Sequence, residues 1–297
     1  MATARCTWTE VSGVDGYNVY LKSNGSFVKQ NSELITETVY DIENLEDGNY
    51  EAYATSVLNS VESDASNVKG FEIGTATSTP VVESLSTFEP GDFTDTYTVD
   101  KPVGTQEGDL LFLSISGRLG GSTADSFLLP DGWVEVANIV TGVGSGNTIS
   151  STAYKVAGAS EPPSYTFHPH LGADETPVGI RGSAGILRIS GADTSNPVVA
   201  NSSNTGTGGD VIAFAITAVE FTLLIFSAGS SGASTTPSVT NPSGMTSAWF
   251  LTNGTSSSFR HGFRVSHEDV GSGDSGTRTA EHNGANFTAS LIGIRPA

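Results

Sequence analysis

Short apolar runs separated by turn-forming residues recur along the whole chain. The clearest run lies within residues 109–117, where Leu110 to Leu113 read as a buried strand. A closely similar run follows at residues 222–229, and no segment carries an apolar period of 3.6 residues over several turns. The pattern therefore predicts an all-β protein in which one strand pattern occurs twice.

The sequence that follows each copy of this run also matches. Gly132 corresponds to Gly244, residues 154–156 to residues 263–265, and Ala184 to Ala289. The spacing between matched positions shortens steadily along the chain, which is typical of one pattern with shorter loops in its second copy. Residues 81–297 are therefore predicted to be a duplicated β-sandwich with repeats at about 81–200 and 201–297.

Each repeat contains six runs with the length and turn signals of strands. The pattern favours two facing sheets, jelly-roll-like or a larger sandwich, and leaves open one small sandwich per repeat. The twelve predicted strands lie near residues 96–99, 109–116, 133–140, 151–157, 164–168 and 185–190, and near 211–217, 222–228, 247–252, 259–266, 277–282 and 288–294.

Residues 1–74 form a separate pattern of shorter strands. Ala4, Cys6 and Trp8 alternate with Arg5 and Thr7, which predicts a strand with one apolar face and one solvent-exposed face. Hairpin turns are predicted at residues 24–25 and 47–48. The Thr- and Pro-containing residues 75–80 are predicted to be a linker to the duplicated sandwich.

Several features of residues 1–74 resemble a fibronectin type III domain. They are Trp8 on an early strand, the Gly-Tyr-Asn-Val-Tyr sequence at 16–20, the segment 45–50 ending in Tyr50, and the turn at 61–66. The resemblance implies an Ig-like sandwich of two sheets. It also implies that Tyr50 is a corner tyrosine, whose hydroxyl bonds to nearby backbone.

One departure from that family concerns the first strand. A full strand precedes the tryptophan strand in the family, whereas only seven residues precede Trp8 here. An uncovered strand edge is prone to pair with another chain. We therefore expect a partner protein or a neighbouring copy to supply a strand beside Arg5, Cys6 and Thr7. The alternative is a short local segment that covers the edge.

The order of turns and core positions in residues 81–297 resembles a β module of structural proteins of tailed bacteriophages. The resemblance lies in residues 108–111, 130–133, 154–157, 161–162, 184–186, 191–193 and 197–198. The resemblance implies a virion structural protein assembled in the host cytoplasm. It carries no site residues with it.

Charge, cysteine content and apolar runs limit the classes of partner and location that the sequence predicts. The formal net charge is −19 and the pI is near 4.4, so a nucleic acid is disfavoured as a partner. The single cysteine excludes an intrachain disulfide. The first twenty residues lack a continuous apolar core, so no secretory signal is expected. The apolar run 211–226 contains Glu220 and is predicted to be two strands rather than a membrane span.

Candidate chemistry is sparse. Residues 273–276 copy the Gly-Asp-Ser-Gly sequence of chymotrypsin-like proteases, but the histidine setting is missing and a turn is predicted. His168 and His170 could share a metal, although Pro169 favours surface histidines. Acidic residues in loops, at 92, 95, 268, 269 and 274, leave Ca²⁺ open as the one cofactor to consider.

Aromatic residues could contact a sugar if they are exposed. Tyr165 and Trp249 are the predicted glycan contacts, with Trp133 a third candidate, although core packing explains the two tryptophans better. No paired carboxylates stand out for glycoside cleavage, and no phosphate-binding loop is present in the sequence.

These observations predict a non-enzymatic structural protein on the surface of a phage particle. Capsid decoration or a head fibre is favoured, because no coiled-coil or collagen-like shaft is present. The predicted partners are a major capsid or tail protein and further copies of the chain. The alternative is a tail fibre or adhesion module that binds host glycans through exposed aromatic residues.

Overall fold

The computed structural model describes residues 2–23, 25–46, 48–73, 79–120, 124–142, 146–171, 176–232, 237–253 and 260–297. These residues form strands and turns without a helix, which confirms the all-β prediction. No helix in the described part of the chain is long and apolar enough to span a membrane. The chain divides into two compact units, Met1–Thr75 and Ala76–Ala297. Residues 75–78 of the predicted linker lie outside the described residues.

The described residues of the first unit form seven strands. They are β1 (Ala2–Thr7), β2 (Gly16–Lys22), β3 (Val28–Lys29), β4 (Val39–Leu45), β5 (Gly48–Leu58), β6 (Val61–Glu62) and β7 (Lys69–Ile73). β1 and β4 form one antiparallel sheet, and the other sheet has the order β3-β2-β5-β6, with β7 also paired to β5. Asn24 and Asp47 of the two predicted turns lie outside the described residues.

The core of the first unit lies between these two sheets. It is small and contains Val19, Leu21, Ile42, Leu45 and Tyr50 among its buried side chains. The hydroxyl of Tyr50 donates a hydrogen bond of 2.7 Å to the carbonyl oxygen of Glu46. This bond is the one that the fibronectin resemblance implies for a corner tyrosine.

In the part of the first repeat that the structure describes there are nine strands. They are β8 (Val81–Phe88), β9 (Tyr97–Asp100), β10 (Leu110–Leu119), β11 (Ser126–Leu128), β12 (Val134–Val140), β13 (Thr148–Val156), β14 (Ser164–Leu171), β15 (Thr176–Pro177) and β16 (Ile180–Ser190). A first large sheet has the order β12-β13-β10-β16-β8, and a smaller sheet joins β11, β14, β15 and β9.

Nine further strands lie in the described residues of the second repeat. They are β17 (Val198–Thr207), β18 (Val211–Ala213), β19 (Thr217–Ala218), β20 (Thr222–Gly232), β21 (Thr246–Asn253), β22 (Arg260–Val270), β23 (Gly273–Asp274), β24 (Arg278–Ala280) and β25 (Asn286–Ile294). A second large sheet has the order β17-β25-β20-β22-β21, and β18-β24 and β19-β23 form two strand pairs. The apolar run 211–226 is thus divided between β18, β19 and β20.

The two large sheets have the same strand order when strands in matching places are compared. Their irregularities match as well: the pairing of β12 with β13 shifts register at Val136, and that of β21 with β22 shifts at Ala248. A second shift occurs at Glu83 in β8 and at Val199 in β17. Because bulges at matching places are specific features of a fold, the repeats share one backbone plan.

One matched position in the sequence comparison is wrong. Phe112 lies opposite Tyr154, and its counterpart Ile225 lies opposite His267. Tyr154 therefore corresponds to His267, not to Phe263, and the spacing between the repeats does not shorten steadily. The apolar and aromatic character shared by Tyr154 and Phe263 caused the misalignment, because register depends on the turn between strands as well as on side-chain type.

Each repeat has its own core, and a third core lies between the large sheets. Leu111, Leu113 and Ile115 face the first small sheet, whereas Leu110 and Phe112 face the second repeat. There they meet apolar side chains of the second large sheet, including Leu223, Ile225, Trp249 and Phe263. The second unit therefore consists of two sandwiches, one per repeat, whose large sheets pack face to face.

Candidate partner-binding site

Strand β1 is bonded along one side only. It pairs antiparallel with β4, and no other described strand pairs with it. A strand edge that lacks a neighbour presents a row of N–H and C=O groups that can accept another strand. The edge predicted from the sequence is therefore uncovered within the described residues of the first unit.

The backbone groups that face this edge can be assigned. The Trp8 N–H donates a hydrogen bond of 3.1 Å to the Thr38 carbonyl, so the backbone N–H and C=O groups of Trp8 point towards the side of β4. In an antiparallel pair, successive residues alternate between facing the partner strand and facing away from it. The backbone groups of Cys6 therefore also point towards β4, and the N–H and C=O groups of Arg5 and Thr7 point towards the open edge.

The side chains of β1 alternate as predicted. Arg5 and Thr7 are exposed, whereas Ala4, Cys6 and Trp8 are partly buried against the core. Arg5 binds Asp41 of β4 through two hydrogen bonds, of 2.8 and 2.7 Å. These bonds and the attraction between the charges raise the pKa of Arg5 and lower that of Asp41. Burial, and then the charge of Asp41, raises the pKa of the Cys6 thiol.

A groove of about 860 Å³ runs beside this edge. Cys6 and Trp8 line one wall, Ala52 and Ala54 of β5 lie on the floor, and Phe71 of β7 lies on the opposite wall. Most of these residues belong to the core of the unit or pack against it. The groove therefore reaches the hydrophobic core between the two sheets.

The opposite wall continues through the segment between β6 and β7. Residues 63–68 are exposed throughout, although Ser63 and Ser66 still donate backbone hydrogen bonds of 2.9 Å to Ser56 and Ala54 of β5. This segment follows β5 without forming a regular strand. The two sheets are thus separated along this side, where a further strand beside β1 would close the sandwich.

The structure brings the three predicted partner-binding residues together in different roles. Arg5 and Thr7 supply backbone groups to the edge, and Cys6 supplies a side chain to the groove wall. Sequence patterning identified the edge but missed the opposite wall. Lys69, Gly70 and Phe71 lie more than sixty residues away along the chain, and no local signal places them beside β1.

The predicted glycan contacts are buried. Tyr165 is 3% exposed and Trp249 is 5% exposed, and Trp133 is 8% exposed. Trp133 packs edge-on against Tyr165 and Phe167, with ring centroids 5.2 and 5.3 Å apart. Because stacking on a sugar needs an accessible ring face, this burial corrects the assignment of Tyr165 and Trp249 as glycan contacts.

Tyr165 instead completes a buried polar cluster. Its hydroxyl donates to Glu161 at 2.7 Å, and the Lys155 ammonium lies 2.9 Å from the same carboxylate. Burial would raise the pKa of Glu161, but hydrogen bonds from Gly158 N–H, Tyr165 and Lys155 outweigh it and lower that pKa. The cluster ties the segment after β13 to β14, which gives Lys155 and Glu161 a structural role.

The residues singled out for metal chemistry have other contacts. His168 and His170 lie on one face of β14, and the Nδ1 atom of His168 is 2.7 Å from the Asp95 carbonyl oxygen. Glu268 pairs with Arg278, and Asp274 accepts a hydrogen bond from the Gly276 N–H. Within the described ranges, no three His, Cys, Asp or Glu side chains are grouped to hold a metal ion.

One serine and one histidine are arranged like a nucleophile and its base. The Nε2 atom of His261 lies 3.0 Å from the Ser116 hydroxyl. Both residues are fully buried between the large sheets, and burial, followed by the charge of Arg118, lowers the pKa of His261 to about 3. Ser116 also donates to the Ile149 carbonyl at 3.1 Å. This pair is inaccessible to a substrate and is part of the packing between repeats.

Comparison of the chain with protein-family models, with curated protein sequences and with solved structures gives no match.

Proposed function

We propose that this chain is a non-enzymatic structural protein on the surface of a phage particle, where it attaches through the open edge of β1. The single observation that carries the proposal is this edge, with a groove that reaches the core of the first unit. Strand addition at such an edge combines backbone hydrogen bonds with burial of alternate side chains. The particle type comes from the sequence resemblance of residues 81–297 to tailed-phage structural modules.

The second unit supports a structural role through its construction. Its polar side chains that resemble reactive groups are used in packing: Ser116 and His261 lie between the large sheets, and Glu161 anchors a loop. The two sandwiches share a buried core between their large sheets, which joins them into one scaffold. In the proposed arrangement, the first unit docks on a major capsid or tail protein and the second unit is displayed.

The glycan-binding alternative loses its original support, because the aromatic residues that would carry it are buried. An adhesion module would present exposed aromatic rings beside polar loops. Capsid decoration or a head fibre is therefore the role we propose, with copies of the chain repeated over the particle.

The test is sedimentation of labelled chain with particles that lack it and, in parallel, with host cells. Saturable binding to particles, displaced by unlabelled chain, is the expected result and gives the copy number. Binding to cells alone would refute the proposal in favour of an adhesion module. Binding to neither would also overturn it.

A further inference from the structure

We infer that the groove beside β1 takes an extended, positively charged segment of a different protein, with small apolar side chains at alternate positions. The inference deepens the proposed function and rests on it, because it names the kind of partner that the docking edge receives. It is carried by the backbone groups of the edge, the composition of the groove and the charge of the first unit.

The backbone requires an extended partner. Arg5 and Thr7 each direct an N–H and a C=O group away from β4, as the Trp8–Thr38 hydrogen bond shows. A strand that pairs with both residues satisfies these groups in one antiparallel or parallel ladder. A helix or a compact loop cannot present matching groups at this spacing.

The groove requires small apolar side chains. Alternate residues of a strand beside β1 would point into the groove, next to Cys6 and Trp8. The floor is formed by Val19, Ala52 and Ala54, and it belongs to the hydrophobic core. Alanine or valine side chains at these inward positions would close the core, whereas a charged side chain there would be buried without a partner.

The charge of the unit favours a basic segment. Residues 1–75 contain 12 Asp and Glu but 4 Lys and Arg, which gives a net charge of −8. Two of the four cations are already paired, Arg5 with Asp41 and Lys22 with Glu51. Complementary charge accelerates encounter and suppresses wrong partners, so lysine or arginine at the outward positions is favoured.

The same charges disfavour a second copy of this chain. A symmetric pairing of two β1 strands centred on the free groups of Arg5 would place Arg5 opposite Arg5 of the other copy. Like charges directly opposite each other destabilise a strand pair. It would also bring together two units that each carry a net charge of −8. A chemically different segment is therefore the occupant that we infer.

The test uses the full chain and two synthetic peptides of about nine residues, the length of a long strand. Both have alanine and valine at alternate positions; one has lysine and the other glutamate at the positions between. Cys6 lines the groove and is the single cysteine of the chain, so its rate of modification by a thiol reagent reports occupancy.

We expect the lysine peptide to slow modification of Cys6 saturably. At roughly ten times its dissociation constant, the rate should fall about ten-fold, and the effect should weaken as salt is added. The glutamate peptide should give little protection. Equal protection by both peptides, or protection by neither, would overturn the inferred chemistry of the occupant.

The variant Thr7→Pro tests the mode of binding. Its N–H faces the open edge, so proline removes a group used by the occupant and not one used by β4. Thr7→Ala is the matched control, because it changes the same exposed side chain and keeps the N–H. We expect protection to be lost in Thr7→Pro and kept in Thr7→Ala, with near-ultraviolet circular dichroism showing that both fold.

Failure of this inference and failure of the proposed function give different results. If Thr7→Pro still binds particles, attachment uses another surface: the particle role stands, whereas the β1 attachment site and the inference are overturned. If the lysine peptide protects Cys6 but neither the wild-type chain nor Thr7→Pro binds particles, the groove chemistry stands and the particle role is overturned. Self-association that is abolished by Thr7→Pro and blocks Cys6 would identify a second copy as the occupant and refute the inference.

Discussion

The face of β10 that meets the second repeat changes character at a single residue. Leu110 and Phe112 lie in an apolar core, whereas Ser114, Ser116 and Arg118 follow in a polar layer. The Ser114 and Ser227 hydroxyl oxygens lie 2.5 Å apart and occupy matching positions in the two repeats. Contact between matching residues indicates an approximate two-fold relation between the repeats. The Ser150 and Thr288 hydroxyl oxygens also lie 2.5 Å apart, so hydrogen bonds between hydroxyl groups cross this interface and make the layer specific.

His261 should make stability depend on pH. Its pKa is about 3 when folded and near 6.5 when unfolded, so the unfolded chain binds the proton first as pH falls. The stability is fully present above about pH 6.5 and is lost towards pH 3, at up to about 1.4 kcal/mol per pH unit.

Urea unfolding of wild type and His261→Gln at a series of pH values checks this prediction. Both proteins contain the same carboxylates, so the effect of those carboxylates on stability cancels in the difference between the two unfolding free energies. The wild type should lose stability more steeply than His261→Gln below about pH 6.5, and the two should run parallel above it. The same substitution at the partly exposed His168 is the control. Parallel curves over the whole range would show that His261 is not buried in its neutral form.

Gly185 should not tolerate a side chain. A Cβ atom there would lie 2.7 Å from the Cζ2 atom of Trp249, within the core between the large sheets. Gly185→Ala should therefore cost about 1–3 kcal/mol of unfolding free energy, because this core cannot expand locally. Gly271→Ala, where no atom lies within 4 Å of the added carbon, is the matched control. Equal midpoints of urea unfolding for the two variants would contradict the packing.

At the scale of elements, strand β17 shows how pairing can override local sequence. Its ten residues include two Asn, two Ser and a Gly, which are typical of a turn, and the sequence did not predict a strand there. The strand exists because it pairs with β25 along residues 198–207. It lies at the edge of its sheet, where polar residues are tolerated and prevent pairing with other chains.

The stability of the segment between β13 and β14 should depend on the carboxylate of Glu161. The side chains of Lys155 and Glu161 are 19% and 4% exposed, so removing one charge leaves the other buried. Glu161→Gln should cost about 3 kcal/mol at pH 7. Because the pKa of Glu161 is lowered in the folded state, its contribution is present above the ordinary carboxyl range and is lost as pH falls through the folded pKa.

A double-mutant cycle with Lys155→Met measures this coupling. The double variant should lose less stability than the sum of the single variants, because neither charge is then left alone. Glu107→Gln, at an exposed position of the same unit, is the control and should change stability little. Additive losses would show that Lys155 and Glu161 do not interact.

At the scale of the whole molecule, we expect the two repeats of the second unit to unfold as one cooperative body. The core between the large sheets takes side chains from both repeats, so neither repeat buries its large sheet without the other. Residues such as Leu110 and Leu223 would be exposed if one repeat unfolded alone. Exposing that apolar surface is costly, at about 25 cal/mol per Å².

We therefore expect a core mutation in one repeat to destabilise both. Leu113 is fully buried in the first repeat, and Leu113→Ala should cost about 2–5 kcal/mol. Hydrogen exchange should show an equal loss of protection in β10 and β20. Val103→Ala, at a side chain that is 83% exposed, is the control. If β20 keeps its protection in Leu113→Ala, the repeats unfold independently.

The sequence by itself determined the strand class, the strand positions of highest apolar content and the repetition. These follow from side-chain alternation and turn residues, which act over a few neighbours. It also identified β1 through the alternation of Ala4, Cys6 and Trp8 with Arg5 and Thr7. The burial of Tyr165 and Trp249 could not be read in this way, since a strand shows which residues share a face and not what covers that face.

The tertiary structure alone decided how the sheets combine. It set the face-to-face packing of the repeats and the strand β17. It made His267, and not Phe263, the residue of the second repeat that is equivalent to Tyr154. It also brought Phe71 opposite Cys6 to form the groove. These features depend on contacts between residues far apart in the chain, whose free energy comes from burial in the finished core and leaves no local pattern.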